Sequence, residues 1–184
     1  MNQALLELLA RHAVVWPEQA ELAARFESFV RSHADCLLRS CAPGHITASA
    51  WILSASGEQA LLTHHRKLGR WLQLGGHVDG EPEVERAALR EAQEESGMAE
   101  FVFVRWAAAV PGLVPLDLDV HAIPARANEP EHLHWDVRFL LQAVPGQQLV
   151  CSSESHALRW FLPAELAQVT DEDSVLRLAR KAAA

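Results

Sequence analysis

The chain has 184 residues, 49% of them hydrophobic and 22% charged, enough apolar material for one compact domain with a real core. Acidic residues outnumber Lys plus Arg by 24 to 16, a formal net charge of -8. That balance argues against a nucleic acid polymer as partner, because such binders carry a basic surface. The three cysteines, Cys36, Cys41 and Cys151, are odd in number and form no C-x-x-C pair. They argue against a disulfide framework or structural zinc and point to a reducing, cytoplasmic setting.

Residues 3 to 40 read as helical. Leu5, Leu8 and Leu9, then Leu22, Phe26 and Val30, recur at helical spacing. Trp16-Pro17 divides the stretch in two, and Ala42-Pro43-Gly44 ends it. Residues 1–42 therefore form an N-terminal helical extension, able to cap the remainder (43–184) or to build a homodimer contact. The first fifteen residues carry Glu7 and lack a basic segment followed by an apolar one, so no signal peptide is expected. No apolar run approaches the roughly 18 residues of a membrane span.

His45 to Ser54 and Gln59 to His65 read as strands around the turn signal Ser54-Ala55-Ser56-Gly57. Residues 66 to 81, with Gly69, Gly75, Gly76 and Gly80, read as loop. Pro82 to Ser96 reads as a helix with Pro82 in its first position and Gly97 at its exit. Strands follow at Phe101 to Val110, Asp119 to Ile123, His134 to Val144 and Leu158 to Phe161. Helices follow at Pro163 to Leu166 and Glu172 to Lys181. Strands around one central helix suggest a mixed α/β sandwich.

The central helix carries the chemistry. Residues three and four apart share a helix face, so Glu91, Glu94 and Glu95 converge. Carboxylates packed together repel, and a hard cation with oxygen ligands, magnesium or manganese, offsets that cost. Magnesium keeps waters and bridges to phosphates, which points to phosphoryl chemistry. Arg90, four residues before Glu94, is placed to orient a ligand carboxylate. A Glu-rich helix alone is more often a solvated face; the glycine loop before it and Gly97 after it change that balance.

The stretch from Gly76 to Met98 resembles the Nudix box, the signature of Nudix hydrolases. The family pattern is Gly, five residues, Glu, seven residues, Arg-Glu, an aliphatic residue, any residue, Glu-Glu, any residue, Gly, aliphatic. Aligned from Gly76, this chain supplies Arg90-Glu91, Glu94-Glu95, Gly97 and Met98 in register. The first Glu of the pattern falls on Pro82, with Glu81 and Glu83 on either side. A one-residue adjustment lets Glu81 stand in for it. Ala92 occupies the aliphatic position, and Leu74 stands where many relatives have Pro.

The resemblance implies a Nudix-type α/β/α sandwich with a mixed β-sheet. It also implies a magnesium-dependent (alternatively manganese-dependent) hydrolase of a phosphoanhydride, in a nucleoside diphosphate linked to X or a related small-molecule diphosphate. The implied metal ligands are Glu91, Glu94, Glu95 and the carbonyl of Gly75. An acidic ligand often comes from the loop before a late Trp-bearing strand, and Glu154, ahead of Trp160, sits in such a place. Glu91 is the first choice of general base, oriented by Arg90. Two other classes stand beside this one. A non-catalytic metabolite sensor would use the same fold. An isopentenyl-diphosphate isomerase would need a catalytic Cys near the metal, whereas Cys36 and Cys41 belong to the N-terminal helices.

Candidate substrate contacts surround the box. Arg66, Lys67 and Arg70 lead into the glycine loop and could counter phosphates. His77, nearest the box, is the best single histidine candidate. His132, His134 and Asp136 share a strand face by alternation. With Asp119 and His121 they could line the substrate cleft, His121 and His134 foremost, or form a further site for metal or phosphate. Imidazole favours zinc or iron there over magnesium. Trp71, Trp106 and Trp135 read as packing residues before they read as pocket walls.

Overall fold

The computed structural model describes residues 2–104, 110–126, 129–153 and 155–183. An eight-stranded mixed sheet forms the middle layer. Its axis is the parallel pair of β1 (Gly44–Leu53) and β7 (His132–Ala143), in register from Gly44 opposite Leu133 to Leu53 opposite Gln142. Nine of the ten β1 residues are buried, as expected of a strand covered on both faces. Antiparallel β2 (Ala60–His65) and β4 (Leu74–His77) share the other edge of β1. β3 (Arg70–Leu72) and β8 (Ser155–Phe161) flank β2, while β5 (Phe101–Phe103) and β6 (Asp117–Ile123) flank β7.

Alternation along these strands builds two different faces. Ile46 and Ala48 of β1, Trp135, Val137 and Phe139 of β7, and Leu118 of β6 point to one side. There they meet α1 (Gln3–Val15), α2 (Ala20–Ser32) and α3 (Val84–Ser96). Leu5, Leu8 and Leu9 of α1 are almost fully buried in this layer, each contributing about 2 kcal/mol. Trp135 stacks on Phe29 at 4.5 Å and meets the edge of Phe26 at 5.0 Å, a core role. On the other side Trp51, Leu62, Leu116, Leu140 and Phe161 pack with α4 (Pro163–Val169) and α5 (Asp173–Ala182). The layers are α/β/α, and the N-terminal helices are part of one of them. No helix among the described residues is long and apolar enough to cross a membrane.

Several expected boundaries move. Residues 66 to 81 are not all loop: β3 and β4 lie within them, because Leu74 finds a buried place beside β1 that composition alone does not reveal. The central helix starts at Val84, with Glu83 as its flanking residue, not at Pro82. The strand expected over 101–110 ends at Phe103, and residues 105–109, with Trp106, lie outside the described residues. The strands expected from Asp119, His134 and Leu158 begin earlier, at Asp117, His132 and Ser155.

Candidate active site

The acidic helix is built to lie close to the sheet. Val84, Ala87, Ala88 and Ala92 form its buried stripe, and alanine keeps the separation small. Glu91 and Glu95 border that stripe, Glu95 being 8% exposed. Gly76 allows the closest approach: a Cβ there would stand 2.5 Å from Glu91 Oε2. The Glu91 carboxylate therefore occupies space that any other residue would fill. Its other oxygen accepts a 2.7 Å hydrogen bond from Arg90, and the same guanidinium group donates to the His77 carbonyl of β4 at 2.7 Å. Arg90 Nε lies 3.9 Å from Glu94. The neighbouring carboxylates hold Arg90 above its ordinary pKa, the hydrogen bond to Glu91 first among the causes.

Both ends of the helix are fixed. The Glu81 carboxylate accepts a hydrogen bond from the Glu83 N–H at 3.0 Å. Gly97 closes the C-terminus in the left-handed region, φ 71°, the conformation glycine adopts without strain. The Val150 N–H donates to the Ser96 carbonyl at 2.8 Å, which brings the loop before β8 onto the helix. Glu91, Glu94, Glu95 and Ser152 of that loop line a cleft of about 150 Å³. The neighbouring Glu154 lies outside the described residues.

The basic residues have partners of their own. Arg70 forms an ion pair with Glu172 beside α5, and Arg66 donates to the Ser155 carbonyl at 3.2 Å. Lys67 is exposed in the turn between β2 and β3, its N–H bonded to His65 Nδ1. Arg70 thus meets the carboxylate of the residue that precedes α5. Cys36 and Cys41 are buried in the core shared with α1 and α2.

The histidines gather on the other face of the sheet. Gly76 and His77 are successive on β4, so they point oppositely. Gly76 faces Glu91, and His77 faces His45 and His134, with ring centroids 4.9 and 5.2 Å away. His45 lies 4.8 Å from His134 and 5.0 Å from His132, and His121 lies 5.4 Å from His134. His45 was not singled out from sequence. The signal was there in His45-x-Thr47-x-Ser49, a polar row alternating with apolar residues in β1. Burial lowers the pKa of His45 to about 4 and holds those of His77 and His134 below the usual range, so the three rings are neutral near pH 7.

The aspartates of this face are already engaged. Asp136 accepts from Thr47, Ser49 and Arg138 at 3.0, 2.8 and 2.8 Å. Asp117 meets Arg138, Arg177 and Lys181 at 3.3, 2.9 and 3.1 Å. Asp119 meets Arg138 and Arg177 and bonds His121 at 3.1 Å. Asp119 and Asp136 are therefore counter-ions of a buried network, not free ligands.

A model of the NUDIX domain matches residues 43–179. The chain belongs to the NUDIX family. This Nudix chain is similar in structure to a NUDIX-family hydrolase from Clostridium perfringens, with 23% identity and a TM-score of 0.59 over 75% of this chain and 95% of that one. A MutT NUDIX hydrolase from Burkholderia pseudomallei gives 26% identity and a TM-score of 0.52 over 72% and 94%. The C. elegans Ap4A hydrolase, in a binary complex, gives 18% and 0.56 over 74% and 93%. No curated protein matches at the sequence level. The Nudix match and the Burkholderia MutT NUDIX hydrolase support the expected enzyme class, a pyrophosphohydrolase.

Proposed function

We propose that this Nudix chain hydrolyses a phosphoanhydride in a nucleoside diphosphate linked to X or a related small diphosphate compound, with magnesium or manganese held by Glu91, Glu94 and Glu95. One observation carries the reading: the three carboxylates line one cleft, and Glu91 is seated against Gly76 and tied to β4 through Arg90. Their hard oxygen donors suit such a cation, and the Gly75 carbonyl, next along β4, is the further ligand the family pattern implies. When bound, the ion supplies Lewis-acid stabilisation of charge building on the phosphate oxygens.

The chain's own residues do the rest. Water adds to phosphorus, the bridging P–O bond breaks, and a cleft carboxylate accepts the proton the water loses. Glu91 is the first candidate for that base, since Arg90 fixes its orientation. Arg90 is a positioning residue: it holds the helix to β4 and leaves Glu94, with its side chain 63% exposed, facing solvent and substrate. The Glu81 bond to Glu83 N–H supports the helix start where Pro82 replaces the usual Glu. That intact support favours catalysis over the sensor reading.

The test is a phosphate-release screen over nucleoside triphosphates, dinucleotide polyphosphates, nucleotide sugars and coenzyme-linked diphosphates, with magnesium or manganese. Glu94→Gln is expected to lower kcat/KM at least about 100-fold, beyond what changes outside the ligand shell cost. Full activity in Glu94→Gln, or without metal, would overturn the reading. Tight binding of one compound without turnover would favour the sensor.

A further inference from the structure

We infer that His45, His77 and His134 form a second metal site, specific for a borderline divalent transition ion of the zinc class and separate from the acidic helix. Each ring offers one nitrogen, and these atoms lie within 4.8 Å of one another. The three residues come from three strands: His45 is paired with His134 across β1 and β7, and His77 lies opposite Thr47 across β1 and β4. Zinc–nitrogen bonds of about 2.0–2.1 Å in tetrahedral geometry need nitrogens about 3.4 Å apart. Binding would require side-chain rotations of the half-buried His77 and His134 to close that difference.

A second observation points to a ligand. His45 is 3% exposed, and neither of its ring nitrogens has a hydrogen-bond partner among the described residues. Buried imidazole is normally hydrogen-bonded at one nitrogen at least. Burial in this place deprives the ring of water, and among the described residues it makes no hydrogen bond while it faces two other imidazoles. A metal–nitrogen bond would engage one of its two nitrogens.

Two further histidines border the cluster. His121 Nδ1 donates to Asp119, which Arg177 and Arg138 hold at 2.7 and 3.1 Å. His132 Nδ1 donates to the Pro130 carbonyl at 2.9 Å. With Nδ1 carrying the proton, these two rings, neither of them one of the three proposed ligands, turn Nε2 into the acceptor nitrogen. His132 borders His45, 5.0 Å away between ring centroids, but does not belong to the three-ligand group; a fourth position would be taken by water or a phosphate oxygen. All-imidazole donors suit zinc, iron, cobalt or nickel and discriminate against magnesium.

The inference does not depend on the hydrolase reading, and its test is metal content. The full chain is stripped with chelator, dialysed against zinc in excess magnesium, and assayed by elemental analysis. A Glu91→Gln/Glu94→Gln background removes uptake by the acidic helix. One zinc per chain is expected in that background. His45→Asn and His134→Gln are each expected to weaken binding at least about 100-fold, more than loss of an outer-layer partner. Cobalt in place of zinc should give the intense visible bands of a tetrahedral nitrogen site, lost in the same variants. If His45→Asn does not fold, His134→Gln at its half-buried position gives the same readout. No zinc retained by the background protein, or zinc unchanged by both histidine substitutions, would overturn the assignment.

Discussion

Replacing Gly76 by alanine separates the site from the scaffold. The new Cβ would lie 2.5 Å from Glu91 Oε2, 2.6 Å from Cδ and 3.0 Å from Oε1. Ordinary contact begins near 3.4 Å, so the carboxylate must retreat by about 0.9 Å. The obstructing atoms are the far end of a flexible side chain, and the Gly76 backbone is not in the left-handed region. Folding therefore survives: the weakened Arg90 bond costs about 1 kcal/mol, offset in part by the loss of glycine's unfolded-state freedom. A displacement of about 1 Å at a reacting group costs about 100-fold in rate, or roughly 2.7 kcal/mol of transition-state stabilisation. The neighbouring Gly75→Ala is the control. Its Cβ would stand 2.3 Å from Ser49 Cβ, 2.6 Å from Ser49 Cα and 2.8 Å from the Ala48 carbonyl oxygen. A paired central strand cannot yield, so that variant should lose about 3 kcal/mol of stability, or about 6–12 °C in Tm for a chain of this size. Thermal unfolding and kcat/KM, measured on both variants, distinguish the effects. Wild-type kcat/KM in Gly76→Ala, or a stability loss there equal to that of Gly75→Ala, would refute the reasoning.

Three further outcomes follow from the buried network and the helix start. Arg138→Leu leaves Asp136 and Asp117 short of a guanidinium that is 2% exposed; urea unfolding should show a loss of about 3–5 kcal/mol, and a change under 1 kcal/mol would mean Arg177 and Lys181 suffice. Burial opposes the charge on Asp119, yet its bond from His121 and the guanidinium groups of Arg138 and Arg177 hold its carboxyl below the usual range. Its contribution is present above the unfolded value near 4 and is lost as pH falls toward the lower folded value. Each such group adds up to about 1.4 kcal/mol per pH unit to the slope there, so Arg177→Leu should flatten the slope below about pH 4, and identical slopes would count against it. Glu81→Ala should cost about 0.5–2 kcal/mol through the helix start, read by unfolding; lost activity with unchanged stability would instead place Glu81 at the metal.

The acidic site was legible in sequence because it is local. Glu91, Glu94 and Glu95 share a face by helical geometry alone, and Gly76 and Gly97 stand at fixed offsets from them. Leu5, Leu8, Leu9, Phe26 and Val30 were equally readable, since a 3.6-residue period needs no partner to be seen. What sequence could not show depends on pairing across the sheet. Strands β3 and β4 were hidden in a glycine-rich stretch because their reason to be extended is a ladder with β2 and β1. Asp119 looked like a ligand because the cations it meets, Arg138 and Arg177, are distant in sequence, and Asp136 because the hydroxyls of Thr47 and Ser49 that bond it come from β1. His45 went unnoticed for the same reason: its partners arrive from β4 and β7.

The departure at Pro82 shows how much of the box is held by geometry and how much by residue identity. Proline disfavours helical backbone in the residue before it and has no N–H to give. A carboxylate is still delivered to the helix start, from Glu81, and it accepts from Glu83 N–H. The helix begins at Val84 in consequence. Glu91 lies seven residues beyond that point, about two turns, so a shift at the start leaves its seat against Gly76 untouched. The support at the N-terminus tolerates a change of residue because any nearby carboxylate can reach a backbone N–H. The contact between Gly76 and Glu91 does not, because no other side chain leaves the space that the carboxylate fills.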